Sequence, residues 1–184
     1  MASPQPNERY TWSDYKNWDD EVRYELIDGV PYMLAAPSQT HQAIIVELTF
    51  QLAGFLKGRP CKVFVAPFDV RLNADDKDDT VVQPDLLVVC DMSKLDGRAC
   101  VGVPDMVIEI LSPSSSQQDR VVKYNLYQKT GVREYWIVNT HDRTVQACIL
   151  KDGEYVVKAY ADTEIAPVHV LEGCTINLAD VFAE

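Results

Sequence analysis

Apolar positions along this chain alternate between a spacing of three to four and a spacing of two, and the changes of period mark out its elements. Between His41 and Leu56, the residues Ile44, Ile45, Leu48, Leu52 and Phe55 recur at helical spacing, and Gly58 and Pro60 end the predicted helix. A shorter helix is predicted over Trp12–Trp18, with Thr11 or Ser13 as its cap and Asp14 in its first turn. In YELIDGVPYML, Asp28-Gly29 between two apolar runs signals a hairpin. KVFVAPFDVRLN reads as two short strands around Pro67, NADDKDDT as an exposed turn, VVQPDLLVVC as strand, and DMSKLDGRAC as a surface segment. VPDMVIEILSP is apolar on both faces and predicts a buried central strand. Ser116-x-x-Asp119 has capping-box spacing and opens a second helix that runs to about Lys129, with Gly131 at its end. REYWIVN is a further buried strand. TVQACIL and EYVVKAY, joined by Asp152-Gly153, and a terminal VHVLEGCTI complete the pattern.

This order predicts an α/β protein with a mixed sheet and helices packed on it. No repeat or linker divides the chain, so residues 1–184 are expected to form one domain. Residues 1–9 read as a disordered tail, about 24–140 as the core, and 144–178 as added C-terminal strands.

Composition narrows the class. With 47% hydrophobic and 24% charged residues, the chain belongs with folded globular proteins. No apolar run reaches the roughly 18–20 residues of a membrane span, and the start MASPQPNERYTW is polar, so a cytoplasmic address is expected. The cysteines Cys61, Cys90, Cys100, Cys148 and Cys174 are odd in number with no close pair, and all five are expected to be reduced. The net charge of −11, from 17 basic and 28 acidic residues, argues against a broad non-specific grip on nucleic acid. It does not exclude a nuclease, because a bound cation reverses the sign of a carboxylate cluster locally.

Two carboxylates carry the chemical signal. Asp85 follows Pro84 and opens the apolar run Leu86–Val89, while Glu109 lies inside VIEIL. An ionised carboxylate in such surroundings costs several kcal/mol unless it is paired or coordinated, so a cation, a lysine or arginine, or a proton must compensate Glu109. Adjacent strands that each present a carboxylate suit Mg²⁺ or Mn²⁺. Leu111 shares Glu109's side of its strand and supplies no cation. Lys123 and Tyr127 share a face of the following helix, with Arg120 expected on the same stripe. That stripe would bring an ammonium to a scissile phosphate.

The segments YELIDG, THQ, QPDLLVV, PDMVIEILSPSS, DRVVKYNLY and GVREYWIV, in this order from Tyr24 to about Asn139, resemble the Uma-two family of the PD-(D/E)XK nuclease superfamily. The resemblance implies a four-stranded mixed sheet flanked by helices and Mg²⁺-dependent phosphodiester cleavage. Carried over by position, it implies Asp85 as the superfamily's aspartate and Glu109 as its acidic partner. Leu111 stands where the standard motif has lysine, and in this branch the lysine lies on the next helix, matching Lys123.

Glu25, in a strand-like run, and His41, opening the first helix, are supporting candidates for the same cleft, with Glu47 a weaker third ligand. Ser112, Ser114, Ser115 and Ser116 lack a partnered base and read as helix-capping residues, since His141 and His169 form no triad signature. Tyr135 and Trp136 read as core aromatics. The function expected first is a Mg²⁺-dependent endonuclease that hydrolyses DNA with a metal-activated water, acting as a homodimer to cut both strands. The alternatives are a non-catalytic oligomeric binding or regulatory module on the same fold, and a metal-dependent hydrolase of small phosphoesters.

Overall fold

The computed structural model describes residues 4–5, 8–18, 22–74, 76–111 and 118–183. Its centre is the strand predicted to be buried on both faces. That strand, β8 (Met106–Leu111), lies between β6 (Leu86–Val89), antiparallel, and β9 (Glu134–Asn139), parallel. β10 (Thr144–Lys151) and β11 (Glu154–Ala161) extend the sheet on one side and β3 (Lys62–Val65) on the other, in the order β11-β10-β9-β8-β6-β3. The four-stranded mixed sheet implied by the family resemblance is present as β9-β8-β6-β3, and the expected C-terminal strands β10 and β11 extend it to six. A second sheet, ordered β2-β1-β5-β4-β7, comprises β1 (Tyr24–Ile27), β2 (Val30–Met33), β4 (Asp69–Arg71), β5 (Val81–Val82) and β7 (Ala99–Val101).

Alternation along the central strands sorts the core into two layers. Leu86, Val88, Ile108 and Ile110 face α2 (Gln39–Leu56), whose Ile44, Leu48, Leu52 and Leu56 form the inner stripe. Leu87, Val89, Val107 and Leu111 face the opposite layer, where α3 (Tyr124–Thr130) contributes Tyr127 and the second sheet contributes Val70 and Val82. Tyr135 and Trp136 are fully buried, as expected of core aromatics.

Local signals fix most turns. Asp28 and Gly29 (φ 48° and 78°) close the two-residue β1–β2 hairpin, and Asp152 and Gly153 (φ 51° and 85°) close β10–β11. Thr11 caps α1 (Trp12–Tyr15), and Gly131 (φ 91°) ends α3 in the left-handed region. Arg9, placed by the sequence in a tail, donates from its guanidinium to the Asp28 carbonyl.

Three expectations change. VVQPDLLVVC is not one strand: it breaks at Gln83-Pro84-Asp85, with β5 in one sheet and β6 in the other. The DMSKLDGRAC segment buries Ala99 and Cys100 in β7. In the terminal segment β12 (Ile165–Pro167) pairs with β13 (Thr175–Asn177), while Val170 leaves strand pairing and donates its N–H to the buried Glu134 carboxylate at 2.8 Å. The short α4 (Leu178–Val181) follows β13. Ser112, Ser114, Ser115 and Ser116 lie outside the described residues, and with Ser116 the expected capping box. Among the described residues, no helix is long and apolar enough to cross a membrane.

The cysteine reading is also corrected, because Cys61 and Cys90 form a disulfide. β3 and β6 pair Lys62 with Val89, so one further step of the ladder sets Cys61 against Cys90 across 29 residues of chain. Cys100, Cys148 and Cys174 are free and buried. Burial pushes their thiols up to about 11, 12 and 11 respectively. We therefore expect the native protein to resist a thiol reagent at about pH 8. Denatured without reductant, it should show the three free thiols, and after reduction all five cysteines. Five thiols without reductant would remove the Cys61–Cys90 bond.

Candidate active site

The break at Gln83-Pro84-Asp85 carries the chain from one sheet to the other, and the site is built around it. Extending the β6–β8 register one step beyond Leu86↔Ile108 sets Asp85 opposite Glu109. Both residues line one cavity. Oδ2 of Asp85 accepts the Ile110 N–H at 2.8 Å and lies 3.1 Å from Nε2 of His41. His41 sits in the first turn of α2, where its own N–H is capped by the Ser38 hydroxyl.

Glu109 is 4% exposed, so its charge requires compensation. Oε1 accepts from the Lys123 ammonium at 2.8 Å and from the Tyr127 hydroxyl at 2.9 Å. Burial first, then the charges of Glu109 and Glu25, drive the Tyr127 pKa well above the ordinary tyrosine value, so its hydroxyl remains a donor. Lys123, 3% exposed, also donates to Oε1 of Glu25 at 3.0 Å. Glu25 is fully buried, and the same oxygen accepts the Gln83 N–H at 2.8 Å. Glu25 Oε2 and His41 Nδ1 are buried with no hydrogen-bond partner.

The lysine reaches this position because Gln118–Lys123 winds as a π-helix before α3 begins. The wider turn breaks the expected stripe. Lys123 and Tyr127 point inward as the sequence indicated, but Arg120 is exposed and does not join them. Glu47, the weaker ligand candidate, is bonded to Gln51 on its own helix. Leu111 is buried among apolar side chains.

Gln83 is the residue that sequence reading missed. Its Nε2 donates to Asp69 Oδ1 at 2.9 Å and to the Tyr15 hydroxyl at 3.0 Å, and its Oε1 accepts from Nε of Arg23 at 2.9 Å. Burial and the Asp69 charge raise the Tyr15 pKa, which keeps that hydroxyl protonated. The only sequence signal for Gln83 was its place directly before Pro84-Asp85.

A cavity of about 780 Å³ opens onto the cluster. Asp85, Glu109 and Lys123 line it together with residues of α2 from His41 to Lys57. Among the described residues, no three His, Cys, Asp or Glu side chains form a group that holds a metal by itself. A Mg²⁺-type ion commonly takes only one or two carboxylates, with water and phosphate oxygens completing its shell, so Asp85 and Glu109 are a donor set of the right kind. Glu25, in contrast, is engaged with Lys123 and the Gln83 amide.

The family model for Uma2, described as "Putative restriction endonuclease", matches residues 12–179. The Synechocystis protein "Uncharacterized protein slr1290" is 26% identical over 130 residues, which are 69% of this chain and 67% of that protein. A crystal structure described as "a putative nuclease belonging to DUF820", from Anabaena variabilis, matches with a TM-score of 0.77 at 21% identity, covering 95% of this chain and 98% of that one. At that identity the likeness speaks for the fold alone. A restriction-endonuclease-like architecture and a family match spanning nearly the whole sequence lead to one conclusion: this chain belongs to the Uma2 family.

Proposed function

We propose that this protein is a Mg²⁺- or Mn²⁺-dependent endonuclease that hydrolyses phosphodiester bonds of DNA, working in the cytoplasm. The observation that carries the reading is that Asp85 and Glu109 line an open cavity together with Lys123, which donates to Glu109 and to Glu25. Carboxylates beside such an opening suit a divalent cation.

Asp85 and Glu109 are the residues that would hold the ion. When bound, a divalent ion lowers the pKa of water and neutralises charge on a phosphate. His41 orients the Asp85 carboxylate through Nε2, and the Ile110 N–H fixes the same oxygen. Tyr127 holds Oε1 of Glu109, which leaves the carboxylate little freedom to rotate away from the cavity. Lys123 supplies positive charge where the phosphate becomes more negative as it is attacked. Glu25 positions that ammonium from the opposite sheet.

A second reading has an observation of its own. The cavity volume falls within the range of about 300–1,000 Å³ typical of small-ligand sites, which favours a small phosphoester as substrate.

Calorimetry should show Mg²⁺ or Mn²⁺ binding to the wild type and none to Asp85→Ala or Glu109→Ala, with plasmid nicking lost in the same variants. A wild type that binds no metal at millimolar concentration would sink the catalytic reading. Hydrolysis of a small phosphodiester without nicking would select the second one. Because the ion binds only the folded site, thermal unfolding should shift upward with metal, by about 2.7 kcal/mol of added stability at 100 times Kd.

Lys123→Met leaves Glu25 and Glu109 buried without their ammonium. It should cost about 3–5 kcal/mol in denaturant unfolding and at least about 10²-fold in cleavage rate. Adding Glu25→Gln to Lys123→Met should restore part of the stability and none of the activity. Restored activity in the double variant would show that Lys123 has no role in the chemistry.

A further inference from the structure

The cavity joins two surfaces of opposite character. Beside the cluster of Asp85, Glu109 and Lys123 it is lined by apolar side chains from two stretches of chain. Leu34 and Pro37 come from the connection between β2 and α2, and Val46, Phe50 and Ala53 from α2 itself. Val46 is 66% and Phe50 72% exposed, so the core uses neither side chain. Exposed apolar surface lining a cavity with a few polar groups is the make-up of a ligand site. Along the helix axis, Phe50 lies roughly 13.5 Å from His41, the α2 residue that touches Asp85.

Whatever covers this surface must also suit the charge around it. The chain carries a net charge of −11, and among the described residues the cations lining the cavity are Arg23, Lys57 and Lys123. Two of them are engaged, Arg23 with Gln83 and Lys123 with Glu25 and Glu109. An intact duplex fits such a surface poorly. It turns two strands of phosphate outward, is held chiefly by lysine and arginine, and shuts the faces of its bases inside the stack. An unpaired strand carries less charge along its length and opens its bases, whose faces stack on aromatic side chains with little regard to sequence.

We propose that the substrate is single-stranded DNA, bound with a phosphate at Asp85 and Glu109 and an unpaired base against Phe50. The place of the phosphate rests on the endonuclease reading, whereas the base-binding wall does not. Val46 and Ala53 lie about one helical turn to either side of Phe50 and widen the platform. Stacked nucleotides advance about 3.4 Å each along one strand, so about four of them span the distance from His41 to Phe50, and fewer in an extended strand. Phe50 therefore meets a base within about four positions of the scissile phosphate. The reaction is hydrolysis: water adds its oxygen to phosphorus, one P–O bond of the backbone breaks, and the fragments part as a phosphate monoester and a hydroxyl. A negatively supercoiled plasmid supplies unpaired stretches, because supercoiling favours opening of the duplex, and is nicked where a relaxed duplex is spared.

The test compares a labelled single-stranded oligonucleotide with its own duplex in Mg²⁺ or Mn²⁺, by anisotropy read before turnover and by cleavage on a gel. Wild type should bind and cut the single strand at least about tenfold better than the duplex. The slope of log affinity on log salt should be no steeper than about −2, the value for three cationic contacts on a single strand. Phe50→Ala should lose about tenfold in single-strand affinity and Phe50→Trp should keep it, both with unchanged circular dichroism because the side chain is exposed. An abasic nucleotide should suppress cutting at one fixed offset from itself, within about four positions, in wild type and not in Phe50→Ala. A duplex bound and cut as well as the single strand overturns the proposal and leaves the endonuclease reading supported. Cleavage of the single strand that Phe50→Ala does not weaken does the same. Absence of cleavage of every substrate, with Phe50-dependent single-strand binding intact, overturns the endonuclease reading and supports the base-binding wall. A wild type that neither binds nor cuts the single strand overturns the proposal outright.

Discussion

Lys123 is withdrawn from water and must meet negative charge wherever it comes to rest. Two partners come from different sheets, Glu25 from β1 and Glu109 from β8, and the lysine itself comes from the π-helical turn that leads into α3. Removing the lysine leaves two carboxylates in the interior without its ammonium, a cost of several kcal/mol. The relative placement of the two sheets and α3 is therefore held by ionic contacts as well as by apolar packing. Gln83 depends on the same arrangement. Its N–H reaches Glu25 because the chain crosses between the sheets at that point, and the crossing places the next carboxylate, Asp85, opposite Glu109.

This frame accounts for the chemistry of the cavity. Tyr127, Lys123 and the Ile110 amide fix oxygens of Glu109 and Asp85, so the carboxylates are oriented before any ligand arrives. Orientation in advance is what a site requires if hydrogen bonds and charges are to act without reorganising during a reaction. The rest of the lining differs in character. It includes Ile45, Val46, Phe50 and Ala53 of α2, apolar surface beside the polar cluster. α2 thus serves both, through His41 at Asp85 and through these apolar side chains.

Glu109 was legible in the sequence because a carboxylate between isoleucines violates the apolar pattern of a buried strand. Lys123 and Tyr127 were legible as a helical pair for the opposite reason, because they obey a local period. Arg120 was misread by that same rule, since the period assumed an α-helix and the chain winds wider over Gln118–Lys123. Glu25 was visible only as a charge in a strand-like run. Its partner lies 98 residues away, so its role as the lysine's anchor had no local signature. Cys61 and Cys90 were missed on the same grounds, because strand pairing made them neighbours and nothing in their spacing did.

By itself the sequence determined the properties that depend on near neighbours. Among these are the β1–β2 and β10–β11 hairpins, where Asp-Gly supplies two residues that tolerate positive φ, the inner stripe of α2, and the double-sided burial of β8. It also determined which side chains could not stand alone, because the cost of burying a charge depends on its flanking residues. Only the tertiary structure decided which partners answered those charges, that VVQPDLLVVC divides between two sheets at Gln83-Pro84-Asp85, and that Asp85 lies across from Glu109. The physical reason is that hydrogen bonds and ion pairs act over a few ångströms of space, whereas sequence patterns record only neighbours along the chain.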